Sequence, residues 1–247
     1  MDIDESGTIT EKFTNKKNYT QEELVFKRVQ QGIESSKRRY PIIPEAEVGA
    51  WIRAFESREG GEGSNYKLSD EQVKAVRLTC ANDQSIFCMT GFAGTGKSTV
   101  SKAILEILEL ANGGREGIEC LAVSGMASRR INEATGFNST TITSYLFNPR
   151  RVKNTSVLFI DEASMVDSET MHFLLKAVDV EKTKIILVGD VGQLPPIGRG
   201  TPFKDILESG WVKSISLEKI FRQNEDAVLT TFAKSMRFEN IDEHMYS

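Results

Sequence analysis

The chain has 247 residues, of which 39 % are hydrophobic and 27 % are charged. This length and balance favour one good-sized folded domain with a small appendage, and they exclude a fibrous repeat or a disordered chain. The formal net charge of −4 means that contact with nucleic acid must come from a local basic strip. The three cysteines show no C-x-x-C spacing, which argues against a structural zinc site. No apolar run has the length of a membrane span and no signal peptide is present, so we expect no membrane contact and a cytoplasmic location.

Two amphipathic helices are predicted near the N-terminus, at 22–35 and 44–57, because apolar residues recur there at helical spacing. A glycine-rich stretch at 59–65 has the composition of a flexible linker. We therefore divide the chain into an N-terminal helical segment with its linker, residues 1–66, and a second domain, residues 67–247.

Beyond Lys67, short apolar runs typical of strands alternate with helical patterns. The predicted strands are 85–90, 120–124, 157–160, 184–188 and 212–217. The predicted helices are 70–80, 97–111, 126–133, 167–178 and 203–208. Strands separated by helices predict an α/β fold with a mostly parallel sheet, in which ligands bind beyond the carboxyl ends of the strands.

A glycine-rich loop follows the first of these strands and matches G-x-x-x-x-G-K-[ST]. Backbone amides of such a loop, together with the positive end of the following helix dipole, bind phosphate groups. Lys97 would reach the β- and γ-phosphates of ATP, and the Ser98 hydroxyl would bind Mg²⁺. The spacing excludes a dinucleotide-binding loop. We expect nucleotide contacts from Gly91, Ala93, Gly94, Thr95, Gly96, Lys97, Ser98 and Thr99.

Two adjacent carboxylates end the buried run Val157–Ile160. Asp161 is the predicted residue of the Mg²⁺ shell, and Glu162 is the predicted general base that faces a water near the γ-phosphate. The alternative is a solvated strand end, which the neighbouring phosphate loop makes the weaker interpretation.

Three further residues are candidates for the same site. Gln193 follows the run 184–188, and its amide can both donate to a phosphate oxygen and accept from an attacking water. Arg222 lies after the last predicted strand, where its guanidinium could contact a phosphoryl group or lie on the surface. Gln72 stands three residues after Ser69, a spacing that predicts a helix capping box.

Taken together, the motifs from about Pro44 to Phe238 resemble the RecD-type DNA helicases of superfamily 1, within the P-loop NTPases. The resemblance implies a RecA-like domain in which Gln72 reads adenine and Arg222 touches the γ-phosphate. Lys97, Glu162, Gln193 and Arg222 are then the predicted catalytic residues. Motifs Ia and Ib of the family grip single-stranded DNA, and the resemblance assigns them to 121–127 and 139–143. The DNA-contacting residues that follow are Ser124, Gly125, Thr141 and Thr143.

The DNA motifs depart from the family pattern at three positions. Val123 and Met126 replace the proline and lysine of motif Ia, and Thr143 replaces the histidine of motif Ib. The lost lysine removes one phosphate contact and predicts a shallower salt dependence of DNA binding. A basic strip could compensate, with Tyr145 or Phe147 as a stacking platform, although the same charges could simply be solvated. The strip would consist of Arg129, Arg130, Arg150, Arg151 and Lys153.

The resemblance also implies a second RecA-like domain with motifs V and VI, which the chain does not contain. We expect the chain to be the N-terminal motor half of a 5′-to-3′ DNA helicase in replication, recombination or repair, with that domain in a missing C-terminal part or in another chain. Without it, ATP and Mg²⁺ should bind while hydrolysis is slow, because an arginine supplied across the cleft is worth about 10³–10⁵ in turnover. The alternative function is a stand-alone nucleotide-binding switch or partner-recruiting module.

Overall fold

A computed structural model describes residues 2–3, 9–10, 16–35, 37, 40–61 and 64–221. Two short antiparallel strands, β1 (Asp2–Ile3) and β2 (Ile9–Thr10), come first. Three helices follow, α1 (Lys16–Glu34), α2 (Glu45–Gly60) and α3 (Asp70–Cys80). The remaining elements are, in chain order, β3 (Ile86–Gly91), α4 (Lys97–Asn112), β4 (Ile118–Ala122), α5 (Gly125–Thr135), β5 (Ser139–Thr141), α6 (Ile142–Leu146), α7 (Pro149–Asn154), β6 (Val157–Ile160), α8 (Ser168–Ala177), β7 (Lys184–Gly189), α9 (Pro202–Glu208) and β8 (Lys213–Leu217). No helix of these residues is long and apolar enough to cross a membrane.

Six strands form one sheet in the order β5-β4-β6-β7-β3-β8, and every pairing in it is parallel. The α/β fold with a mostly parallel sheet is therefore confirmed. The sequence missed β5 because its three residues, Ser-Thr-Thr, are too few and too polar to give an apolar signal. It also missed α6 and α7, which have five and six residues.

Alternating strand residues supply two cores, one on each face of the sheet. Phe87 and Met89 of β3 pack with α2, α3, α4 and α5 on one face. Ile86 and Cys88 of the same strand pack with α1, α6, α8 and α9 on the other. Because successive side chains of a strand point to opposite faces, each apolar strand here is covered by helices on both sides.

The two N-terminal helices lie on opposite faces of the sheet. Helix α1 buries Val25 and Val29 against the core that α8 also enters, whereas α2 buries Val48 and Ile52 against the core of α3 and α4. Both helices thus cover the sheet that carries the predicted site. Helix α1 begins six residues before the predicted start, because its polar first turn lacks an apolar period. The division of the chain at residue 66 stays a prediction.

The buried Tyr145 links α6 to the segment before β6. Its hydroxyl lies 2.7 Å from Oγ1 of Thr155, which itself donates to the carbonyl oxygen of Arg151 at 2.9 Å. The tyrosine hydroxyl is therefore the donor in the first bond. Burial raises the pKa of Tyr145 to about 12, so the hydroxyl keeps its proton at neutral pH.

We expect Tyr145→Phe to lower the free energy of unfolding by about 1 kcal/mol, because one buried hydrogen bond is lost while Thr155 keeps its own acceptor. Thermal and denaturant unfolding would measure the change. Phe147→Ala is the matched control: its side chain is 84 % exposed, and the expected change is below about 0.5 kcal/mol. Equal losses of unfolding free energy in the two variants would contradict a stabilising hydrogen bond between Tyr145 and Thr155.

Candidate nucleotide-binding site

The loop between β3 and α4 has glycines where a side chain has no room. Gly94 and Gly96 both have φ of +84°, in the left-handed region that favours glycine. A Cβ atom on Gly91 would lie 2.8 Å from the carbonyl oxygen of Leu217 in β8, and one on Gly96 would collide with Nε2 of Gln72. The loop therefore runs directly against β8 and α3.

Hydrogen bonds fix the conformation of this loop. Thr95 is buried, and its Oγ1 donates to the carbonyl oxygen of Phe92 at 2.8 Å. Gln72 Nε2 donates to the carbonyl oxygen of Thr95 at 3.4 Å, and the amide of Phe221 donates to the carbonyl oxygen of Gly94 at 2.9 Å. Neighbouring elements thus hold the loop backbone from two sides.

Lys97 begins α4 and places its ammonium group at the loop. Nζ donates to the carbonyl oxygens of Gly91 at 2.5 Å and Phe92 at 3.1 Å. The first-turn amides of a helix have no partner within the helix, and the helix dipole favours an anion there. Together with the exposed Ser98, the arrangement has the chemistry of a phosphate-binding site.

The two predicted carboxylates end β6 in a strained turn. Glu162 has φ 52° and ψ 37°, the left-handed conformation that glutamate seldom adopts. Such a conformation costs of order 1–3 kcal/mol and concentrates at functional sites. The amide of Glu162 donates to Oδ1 of Asp161 at 2.9 Å. The turn brings both acids into the same cleft.

Burial raises the pKa of both acids above the ordinary range. For Asp161, the hydrogen bond from the Glu162 amide and the charge of Lys97 oppose this rise. For Glu162, the charges of Asp161 and Asp190 add to the rise, while Lys97 and Arg130 oppose it. Within the described residues, Oε2 of Glu162 is buried without a hydrogen-bond partner. A raised pKa and a free acceptor suit a general base.

The residues at the loop fit Mg²⁺. Ser98 and Asp161 offer a hydroxyl and a carboxylate, the oxygen donors that this ion prefers. Among the described residues, no group of three His, Cys, Asp or Glu side chains could hold a metal ion by itself. Proteins usually bind Mg²⁺ through one or two carboxylates together with substrate phosphates.

The loop that carries Gln193 is tied to the turn of the two acids. The amide of Asp190 donates to Oγ of Ser164 at 3.2 Å, and Oδ1 of Asp190 accepts from the amide of Gly192 at 2.9 Å. A Cβ atom on Gly189 would lie 2.9 Å from the amide nitrogen of Ser164, so the two segments touch closely. The position of Gln193 is thereby coupled to that of the acids.

A cleft of about 570 Å³ lies between these elements. Its lining includes eight of the predicted site residues: Ala93, Gly94, Gly96, Lys97, Ser98, Asp161, Glu162 and Gln193. Gly91, Thr95, Thr99 and Gln72 do not line it, and the hydrogen bonds above give Thr95 a structural role in the loop. One face of α5 also lines the cleft, through Arg130, Ile131, Ala134 and Thr135.

Gln72 forms the predicted capping box, which is therefore confirmed. The backbone amide of Gln72 donates to Oγ of Ser69 at 3.3 Å, and Oε1 of its side chain accepts from the backbone amide of Ser69 at 3.0 Å. Its Nε2 holds the loop through Thr95, as described above. Recognition of adenine by Gln72 stays a prediction.

Arg222 lies outside the described residues, so its contact with a γ-phosphate also stays a prediction. The preceding residue, Phe221, lines the cleft and donates its amide to the loop. The described chain therefore ends at the site in which Arg222 is predicted to act.

The four predicted DNA residues lie at the carboxyl ends of two adjacent strands, β4 and β5. Ser124 caps α5 through a bond from the amide of Ala127 at 3.2 Å, and the exposed Gly125 begins that helix. Thr141 caps α6 by accepting from the amide of Ser144 at 3.2 Å, and Thr143 is exposed in its first turn. The fold brings these residues together on the same edge as the cleft. DNA contact is still a prediction.

The structure changes the predicted basic strip at two positions and its stacking platform at one. Tyr145 is fully buried and cannot stack with a base, so Phe147, at 84 % exposure, is the platform that remains. Arg151 forms a bidentate ion pair with Glu119. Arg130 lines the nucleotide cleft, a position that the sequence did not predict because helical spacing alone does not show which neighbour α5 faces.

Comparison with known proteins shows the family to which the chain belongs. The family model described as an AAA domain matches residues 67–246. The chain belongs to this family. It is 36 % identical over 172 residues to the conjugal transfer protein TraA of Agrobacterium fabrum, covering 66 % of the chain and 15 % of the relative. It is 32 % identical over 164 residues to the ATP-dependent RecD2 DNA helicase of Deinococcus radiodurans, covering 63 % of the chain and 22 % of the relative.

A solved structure agrees with the sequence comparisons. The Pif1 helicase from Candida albicans superposes with a TM-score of 0.52 and 26 % identity, over 69 % of this chain and 44 % of that one. The resemblance to RecD-type superfamily 1 proteins is thus confirmed, and the domain is a RecA-like P-loop motor domain. The chain spans less than a quarter of the length of the two curated relatives.

We expect Glu162→Gln to raise the thermal midpoint at pH 8 by a few degrees and to reduce ATP turnover about 10²–10⁴-fold. Because the folded pKa of Glu162 is raised, the folded state holds the proton more tightly than the unfolded state. The stability that this group contributes is therefore lost as pH rises above its ordinary pKa near 4.5.

Melting curves at pH 4.5 and pH 8 measure this difference. Glutamine carries no charge to desolvate, so the gain should be large at pH 8 and small at pH 4.5. Glu133→Gln, at an exposed position of α5, is the matched control. An increase in thermal midpoint that is the same at both pH values would refute desolvation of the charged Glu162 as its cause.

Proposed function

We propose that this chain is the ATP-binding and ATP-hydrolysing motor part of a longer DNA helicase. The observation that carries the proposal is one cleft lined by a phosphate loop, Lys97, Ser98, two strand-end acids and Gln193. Because the chain covers 15 % and 22 % of two curated relatives, DNA unwinding concerns the longer protein.

Binding of the triphosphate follows from the loop. The fixed amides around Gly94 and Gly96 surround the phosphates, and Lys97 exchanges its bonds to loop carbonyls for bonds to phosphate oxygens. Ser98 and Asp161 are the residues that would hold Mg²⁺. When bound, that ion neutralises phosphate charge and polarises the γ-phosphoryl group.

Hydrolysis depends on Glu162 and Gln193, the two residues of the cleft that can act on the attacking water. Glu162 accepts a proton from the attacking water at its carboxylate, aided by the raised pKa that burial gives it. Gln193 orients the same water through its amide oxygen while its amide nitrogen donates to the γ-phosphoryl group. The water oxygen forms a bond to the γ-phosphorus while the bond from the β–γ bridging oxygen breaks, and ADP and phosphate leave.

Single-stranded DNA is the proposed polymer partner, bound along the carboxyl ends of β4 and β5. Hydroxyl groups of Ser124 and Thr143 and the amide of Gly125 can donate to backbone phosphates. The hydroxyl of Thr141 donates to Oγ of Ser144 at 3.0 Å and would exchange that bond for one to a phosphate. Phe147 offers an exposed ring on which a base can stack. The helicase names of the relatives support this choice.

The proposal includes a second RecA-like domain, in the rest of a longer protein or in another chain. That domain would supply a further arginine to the γ-phosphate, and motion between the two domains would drive translocation. The 5′-to-3′ polarity and the cytoplasmic location stay predictions.

We expect the chain to bind Mg·ATP, to hydrolyse it slowly, and to hydrolyse it faster with single-stranded DNA. Lys97→Ala should abolish measurable turnover, because the ammonium that neutralises phosphate charge is lost. Phosphate release with and without oligonucleotide, and calorimetric binding of Mg·ATP, are the measurements. Lys102→Ala, in the same helix but outside the cleft lining, is the control. Tight binding without turnover, even with DNA, would favour the nucleotide switch.

We expect Phe147→Ala to weaken binding of a fluorescent oligothymidine about 10- to 100-fold, the value of one base stack. Tyr145→Phe should leave that affinity unchanged, because its ring is buried. Fluorescence anisotropy at fixed salt measures both variants. Unchanged affinity in Phe147→Ala would place the DNA path elsewhere.

A further inference from the structure

Arg130 lies in the second turn of α5, and it lines the same cleft as Lys97, Asp161 and Glu162. The preceding residue, Arg129, is also exposed but does not line that cleft. The rotation of about 100° between successive helical residues separates the two guanidinium groups. Arg130 therefore faces the nucleotide site, and Arg129 faces elsewhere.

The charge of Arg130 acts on Glu162 from the wall of the cleft. Four charged groups act on Glu162: Asp161 and Asp190 raise its pKa, and Lys97 and Arg130 lower it. These groups come from the turn after β6, the loop after β7, α4 and α5. Glu162 and Lys97 are the proposed groups at the γ-phosphoryl end, and Arg130 lines the same cleft as both.

The guanidinium of Arg130 is available to a ligand. It makes no ion pair or hydrogen bond with the residues that the structure describes, whereas Arg151 is paired with Glu119. Within the part of the chain that the structure describes, the charged residues that line the cleft are the acids Asp161 and Glu162 and the cations Lys97 and Arg130. Arg130 therefore adds to the positive charge of Lys97 that attracts the phosphates of the substrate.

We propose that Arg130 contacts the γ-phosphate of ATP and lets this domain distinguish ATP from ADP. The proposal rests on the proposed function, because it assumes a nucleotide in this cleft. A planar guanidinium presents two parallel donors to a phosphoryl group, which a lysine cannot do. The proposed contact moves Arg130 from the predicted DNA-binding strip to the nucleotide site.

The experiment is calorimetric titration with ADP and with the non-cleavable analogue AMP-PNP, both with Mg²⁺. Arg130→Ala should weaken AMP-PNP binding about 10- to 100-fold, the loss of a hydrogen bond to a charged group, and should change ADP binding little. Arg130→Lys should restore part of the affinity, because it keeps the charge but loses the fork. Arg129→Ala is the matched control on the same helix, and its affinities for both nucleotides should equal those of the unaltered protein. Circular dichroism melts establish that each variant is folded.

Three outcomes would overturn the proposal. AMP-PNP binding that is unchanged in Arg130→Ala would exclude the contact, and equal losses for ADP and AMP-PNP would exclude the γ-phosphate as its target. Weakened oligothymidine binding with unchanged nucleotide binding would return Arg130 to the DNA strip. Failure of the proposed function is distinguishable, because the unaltered protein would then bind neither nucleotide and Lys97→Ala would have no effect.

Discussion

Everything at this site depends on the close contact of one loop with its neighbours. The loop between β3 and α4 touches β8 and α3 so tightly that Gly91 and Gly96 have no space for a side chain. Gln72 and Phe221 hold its carbonyl oxygens from outside, and Lys97 holds two from inside. Because the backbone of the loop is already fixed, only the Lys97 side chain has to change its partners when the anion arrives, and such preorganisation favours electrostatic stabilisation.

The second constraint is the link between the acids and Gln193. Ser164, just after Glu162, accepts a hydrogen bond from the amide of Asp190, just before the Gln193 loop. The strained φ of Glu162 lies two residues before this contact. Loss of the γ-phosphate can therefore shift the turn of the two acids and the Gln193 loop together.

Helix α5 connects the two ligand surfaces. Its first turn, with Ser124 and Gly125, lies at the edge proposed for DNA, and its second turn carries Arg130 into the nucleotide cleft. The separation along the helix is roughly 8 Å at 1.5 Å per residue. A rigid helix of that length can transmit a displacement from one surface to the other without a long chain of intermediate contacts.

Local signals in the sequence were sufficient for much of this protein. Apolar runs separated by helical patterns identified the parallel sheet, and the residue types of 91–99 and 161–162 identified the phosphate loop and the acids, because this chemistry depends on contiguous residues. The capping box of Ser69 and Gln72 was readable for the same reason. Only the tertiary structure decided that α1 and α2 cover opposite faces, that Tyr145 is buried, that Arg151 is paired with Glu119 and that Arg130 lines the same cleft as Lys97. Those outcomes depend on which distant element packs against a residue, and periodicity within one helix carries no information about its neighbours.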